Sequence, residues 1–96
     1  MEFRQLQYFV AVAEEESFSR AAEKMNVSQP SLSKAIQSIE DEYGVTLVKR
    51  TTRSFKLTDA GELIFKQGEK LIDDYEQLKD QLSELSSDYM LSLIHI

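Results

Sequence analysis

Apolar positions along the chain recur at helical steps in three places and at strand-like steps in one. Phe3, Leu6, Val10 and Ala13, with Phe9 beside them, form the stripe of an amphipathic helix of roughly twelve residues. Glu14, Glu15 and Glu16 close it, and acidic residues at a helix C-terminus oppose the macrodipole, so this run reads as a frayed, solvated end. Ser19 is placed to cap a second short helix, Arg20 to Met25, in which Ala21 and Ala22 are small enough for close approach of another helix. Asn26 suits the following turn, and Val27 is expected to plug the core. A third helix then starts behind a Ser28 cap, with Gln29 and Pro30 in its first turn, where the missing proline N–H costs nothing. Leu32, Ile36, Ile39 and Tyr43 share its core face, and Gly44 supplies the C-terminal stop.

Beyond Gly44 the pattern changes. Val45–Lys49 and Ser54–Leu57 have the β-branched and aromatic content of two short strands, with Arg50–Arg53 as the connecting tip. Thr58 is the cap of a last helix, which the polar composition and long apolar spacing carry to about Ser87, a rod of about 45 Å at ~1.5 Å per residue. Ile64, Leu71, Leu78 and Leu85 repeat there every seven residues, and Gly61, Gly68, Tyr75, Leu82 and Tyr89 form the companion row. A helix that long cannot bury such a seam alone, so a homodimer through Ile64, Leu71, Tyr75, Leu78, Leu82 and Leu85 is the simplest expectation. Packing on a further domain of a longer protein would also cover it. Residues 91–96 turn abruptly apolar, break the heptad, and look foreign to it.

Composition sharpens this reading. The chain carries −6 over 96 residues, which at first argues against a polyanionic partner. Residues 1–57, however, hold eight Lys/Arg and eight Asp/Glu, whereas 58–96 hold three against nine, so the excess acid belongs to the last helix. Within 20–57 the balance is +3, a sign that permits nucleic acid. There is no cysteine, which excludes a disulfide framework and fits a reducing cytoplasm; no apolar run approaches the ~20 residues of a membrane span. One histidine, at position 95, and the lack of a glycine-rich phosphate loop leave nucleophile, base and phosphate cradle missing, so an enzyme, a metal site or a cofactor is not expected. Glu40, Asp41 and Glu42 are consecutive helical residues pointing in different directions, hence solvated carboxylates.

Two short helices joined by a tight turn, the second with small polar residues crowding its N-terminus, make a helix-turn-helix over about residues 18–37. In that motif the N-terminal residues of the second helix meet base edges in the major groove. Gln29 can pair with adenine, Ser31 and Ser33 are short enough to allow close approach, and Lys34 can reach phosphate or guanine. The free N–H groups of the first turn favour a phosphate. Arg50 and Arg53, with Lys49 and Lys56, fit a wing along the adjacent minor groove. A competing reading makes the acidic heptad helix, with Asp73, Asp74, Asp80 and Glu84 outward, the working part of a protein-interaction module.

The ordered set Phe9–Ala13, Ser17-Phe18, Arg20-Ala21-Ala22, Val27-Ser28-Gln29-Pro30-Ser31-Leu32-Ser33, Ile36, Ile39-Glu40, Gly44, Leu47, Arg50, Arg53 and Leu57-Thr58-Asp59-Ala60-Gly61 resembles the N-terminal region of LysR-type transcriptional regulators. The resemblance covers residues 1 to about 88. It implies a mainly α fold, with a winged helix-turn-helix of three helices plus a two-stranded wing over 1–58, and a linker and dimerisation helix over 59–90. A periplasmic-binding-protein-like effector domain follows in that family and is absent from this sequence, so a small-molecule effector would act only through it, and a tetramer is open for the full-length protein. Carried over by position, DNA contacts fall on Gln29, Pro30, Ser31, Ser33, Lys34, Gln37, Arg50 and Arg53. Lys34 stands where the family often has arginine, which weakens bidentate guanine readout. Val48 replaces a common aromatic and should alter packing under the wing.

Overall fold

The computed structural model describes residues 1–51 and 53–94, with side-chain surroundings through Ser86. Helix α1 (Phe3–Glu15), α2 (Phe18–Met25) and α3 (Gln29–Tyr43) precede the antiparallel strands β1 (Val48–Thr51) and β2 (Ser54–Leu57), and α4 (Asp59–Ile94) follows. This is a winged helix-turn-helix with a long C-terminal helix, as the sequence implied.

Each helix start and stop has a local cause. Gln5 Oε1 accepts the Glu2 N–H at 2.9 Å and closes the first turn of α1. Ser17, not Ser19, caps α2: its Oγ accepts the Arg20 N–H at 3.2 Å. That shift places Phe18 at the first helical position, where the residue is only 8% exposed. Ser28 Oγ accepts the Ser31 N–H at 3.2 Å and begins α3 as expected. All three helices end on a left-handed residue, namely Glu16 (φ 52°), Asn26 (φ 58°) and Gly44 (φ 64°). A left-handed Glu16 is the conformation least visible in the sequence, since glutamate has no special tolerance for it.

The core gathers Phe9, Val12, Ala21, Leu32, Ile39 and Leu47, fully buried or nearly so. Ala21 and Ala22 are buried, as close helix packing requires, and Val27 packs against the cluster. Tyr43 does not follow Leu32, Ile36 and Ile39 inward; it is 54% exposed. Its phase on α3 is right, but the core has ended by that last turn, and its hydroxyl instead lies 3.3 Å from the Met1 amine.

The first strand begins later than the β-branched run suggested, at Val48 rather than Val45. Residues 45–47 are a connector held by Glu40: its carbonyl accepts the Val45 N–H at 3.1 Å, and its Oε2 accepts the Leu47 N–H at 2.7 Å. With those N–H groups taken, the segment has no need of a strand partner. Pairing runs Val48↔Leu57, Lys49↔Lys56, Arg50↔Phe55 and Thr51↔Ser54, so Arg50 belongs to β1 and not to the tip.

Helix α4 is capped by Thr58, whose Oγ1 accepts the Gly61 N–H at 3.1 Å and donates to the Thr46 carbonyl. Two glycines let α4 sit tightly on the head. A Cβ on Gly61 would fall 2.2 Å from the Leu47 carbonyl oxygen, and one on Gly68 2.8 Å from Leu6 Cδ1. The helix runs to Ile94, past the Ser87 at which its pattern fades. Leucine and isoleucine propagate a helix adequately, and neither Gly nor Pro stops it there. The result is an elongated molecule of 63 × 24 × 19 Å. His95 and Ile96, like the side chain of Tyr89, lie outside the described residues.

Candidate nucleic-acid interface

The Ser28 cap fixes where α3 starts and thereby which side chains crowd its first turns. Gln29, Pro30, Ser31, Lys34 and Gln37 are exposed, and Ser33 is half-buried. Ser28 Oγ donates to Ser31 Oγ at 2.8 Å, which orients the Ser31 hydroxyl and leaves its hydrogen free for an outside acceptor. The first turn offers less backbone than the sequence suggested. Pro30 has no N–H and the Ser31 N–H is taken by the cap, so the Gln29 N–H alone among these three has no internal acceptor.

Ser33 and Gln37 do not stand apart from the wing. Together with Phe18, Ile36, Glu40, Val48 and Arg50 they line one shallow recess. The alternation of β1 turns Val48 and Arg50 to the same side, and the Arg50 guanidinium carbon lies 3.9 Å from the centroid of the Phe18 ring. Arg53 sits at the exposed turn between the strands, its N–H donating to Thr51 Oγ1 at 3.3 Å. The two wing arginines, grouped at one tip by sequence, therefore occupy different places.

The distribution of ion pairs separates structural from available cations. Arg20 donates to the Glu15 carbonyl at 2.8 Å and lies 3.9 Å from its carboxylate, and Lys24 sits 3.5 Å from Glu14 and 3.8 Å from Glu15. The acidic end of α1 is thus paired with α2 rather than merely solvated. Among the described residues, Lys34, Lys49, Arg50, Arg53 and Lys56 of α3 and the wing have no carboxylate within 4.0 Å, nor do Arg4 on α1 and Lys66 and Lys70 on α4. Lys49 and Lys56 even face each other directly across the strands, an arrangement that is unfavourable without an anionic partner.

On α4 the heptad row divides in two. Ile64 is partly buried against the head's own core, and Gly68 lies against Leu6 and Val10. From Leu71 onward the row is open: Leu71, Leu78, Leu82 and Leu85 are all more than half exposed. Tyr75, 43% exposed, has its ring 4.7 Å from that of Phe3. Sequence reasoning had the row but not the point at which the head stops covering it. It also missed Phe18 as the support of Arg50, a contact foreshadowed only by the inward phase Arg50 shares with Val48.

Comparison with known proteins bears on the same region. Residues 3–62 match the profile of the family described as bacterial regulatory helix-turn-helix protein, lysR family. The chain is 48% identical over 79 residues to the probable cat1 operon transcriptional activator of Acinetobacter lwoffii, covering 82% of this chain and 26% of that protein. It is 41% identical, over its whole length and 31% of the relative, to the DNA-binding transcriptional dual regulator OxyR of Escherichia coli K12. Among solved structures, the complex of the BenM DNA-binding domain with catB site 1 DNA superposes with a TM-score of 0.85 at 40% identity, covering 91% of this chain and 98% of that one. The CbnR DNA-binding domain in complex with DNA gives 0.78 at 35% identity, covering 90% and 99%. The chain spans a third or less of the length of these curated relatives.

Proposed function

The chain belongs to the lysR family of bacterial regulatory helix-turn-helix proteins, and from that membership we propose that it is the sequence-specific DNA-binding module of a dimeric transcriptional regulator acting in the cytoplasm, without catalytic activity of its own. In this reading α3 enters the major groove. Gln29 and Ser31 meet base edges, Ser33, Lys34 and Gln37 meet bases or phosphates farther along, and Pro30 packs against the backbone. Arg53 at the wing tip enters the minor groove, where narrow A·T-rich stretches attract arginine. The observation that carries the reading is the group of unpaired cations that α3 and the wing bring together. Arg20 and Lys24 are spent on Glu14 and Glu15, whereas the cations of α3 and the wing are left without carboxylates.

Residues 1–58 form the head and 59–90 the linker in this assignment, and the open row from Leu71 to Leu85 pairs with that of a second copy. An effector-binding domain following the linker would supply the signal, and further assembly to a tetramer would depend on it. The experiment is selection of a duplex from a random-sequence pool, then titration of the selected and a scrambled duplex at several salt concentrations. The proposal expects a dyad-symmetric selected site, steep salt dependence, and a selected duplex bound at least ~10³-fold tighter than the scrambled one. Equal, weak binding to both would overturn the specificity.

A further inference from the structure

Among the unpaired cations of α3 and the wing, Arg50 differs in being held by an aromatic ring. Its guanidinium lies over Phe18 at 3.9 Å, and that ring is nearly buried, with Phe55 edge-on to it at 6.4 Å. Phe55 is the cross-strand partner of Arg50 and also packs against the core, so the platform is anchored from both α2 and β2. A carboxylate is at hand in the same recess, yet it does not take the arginine. Glu40 has Oε2 bonded to the Leu47 N–H at 2.7 Å and makes no ion pair within 4.0 Å.

The distinction matters for charge. A carboxylate would fix the guanidinium and cancel it; an aromatic face fixes it and leaves the full positive charge, with the N–H fork free at its edge. A phosphate needs that combination of fixed direction and uncancelled charge. We infer that Phe18 is a positioning residue that holds Arg50 beside Ser33 and Gln37, so that Arg50 clamps a DNA phosphate at the rim of the groove occupied by α3, independently of Arg53 at the wing tip. The inference rests on the DNA-binding reading above and adds to it a division of the wing: Arg50 is pre-set on its ring, whereas Arg53 sits at the exposed turn.

The test is a double-mutant cycle of Phe18→Leu and Arg50→Ala, read by fluorescence anisotropy on the duplex selected by the wild-type chain. Phe18→Leu should weaken binding about two- to fivefold, the worth of an exposed cation–π contact. Arg50→Ala should weaken it more and lower the salt slope by about one. In the Arg50→Ala background, Phe18→Leu should cost nothing further, and with Arg50 present Phe18→Tyr, which keeps the aromatic face, should bind like the wild type. A Phe18→Leu penalty of the same size in both backgrounds would overturn the inference and return Phe18 to a core residue. The free wild-type chain provides a second measurement that needs no variant to fold: the Arg50 δ-methylene protons should be shifted upfield by the Phe18 ring current. Unshifted resonances would equally overturn it. Failure of the wild-type chain to bind any duplex would instead remove the DNA-binding reading and the clamp with it, while the ring-current result would still report the platform.

Discussion

Replacing Gly61 with alanine places a methyl group 2.2 Å from the Leu47 carbonyl oxygen, 3.2 Å from its carbon and 3.3 Å from Leu57 Cβ. The first of these is roughly 1 Å inside van der Waals contact, and the obstacle is backbone, which cannot swing away as a side chain does. Relief requires α4 to draw back from the connector between α3 and the wing. That movement lengthens the Thr58 N–H bond to the same Leu47 carbonyl, now 3.0 Å. Overpacking of this kind costs about 1–3 kcal/mol and a weakened hydrogen bond about 0.5–1.5 kcal/mol. Removing a helical glycine returns about 1 kcal/mol. The net loss is about 1–3 kcal/mol, which for a chain of this size lowers the thermal midpoint by about 5–20 °C.

Gly68 gives the contrasting case. Its added Cβ would meet Leu6 Cδ1 at 2.8 Å and Val10 Cγ2 at 2.9 Å, the movable ends of side chains, so the helix gain of about 1 kcal/mol largely offsets the crowding. Thermal unfolding followed by circular dichroism, at one fixed protein concentration, compares the two variants. Gly61→Ala as stable as the wild type, or less harmful than Gly68→Ala, would refute the claim that α4 is seated by backbone contact at Leu47.

Three further outcomes are expected. Polar substitution of Leu71 and Leu78 together should convert a dimer to a monomer in sedimentation and weaken binding to a dyad-symmetric duplex, while leaving the head's thermal unfolding almost unchanged because both side chains are more than half exposed. Arg53→Ala should weaken binding to all duplexes alike, whereas Gln29→Ala should change which sequences are recovered in a repeated selection; identical effects on every site would contradict that division. The Met1 amine, held 2.6 Å from Glu42 and bonded to Tyr43, has its pKa raised above 8.0, chiefly by the Glu42 hydrogen bond. A raised amine pKa contributes stability fully below about 8 and loses it as pH rises through the folded value. Urea unfolding from neutral to alkaline pH should therefore show a small decline that Glu42→Gln removes.

Much of this architecture is legible in the sequence because it is built from local devices. Ser28 before Gln29-Pro30, Gly44 after Tyr43 and Thr58 before Asp59 each fix a helix end through a bond formed within a few residues, and all three are where the sequence put them. What escaped depends on tertiary partners. The start of β1 shifted because Glu40, five and seven residues upstream in sequence, takes the N–H groups of Val45 and Leu47. Ser17 displaced Ser19 as a cap because Phe18 must reach the core. The acidic run on α1 found its counterions only when α2 folded back beside it. For the candidate interface, residue types were readable, but the separation of Arg50 from Arg53 was not, since it follows from strand register and from an aromatic ring in another helix.

On the proposed reading α3 enters the major groove while the wing tip lies in the minor groove, once in each half of a two-fold site. Dimethyl sulfate footprinting on the selected duplex tests it directly, because the reagent methylates guanine N7 in the major groove and adenine N3 in the minor groove. Guanine N7 should be protected in two half-sites related by a dyad, with adenine N3 protected beside each, and Arg53→Ala should lose the adenine protection alone. Unprotected guanine N7 at a duplex saturated with protein would contradict it.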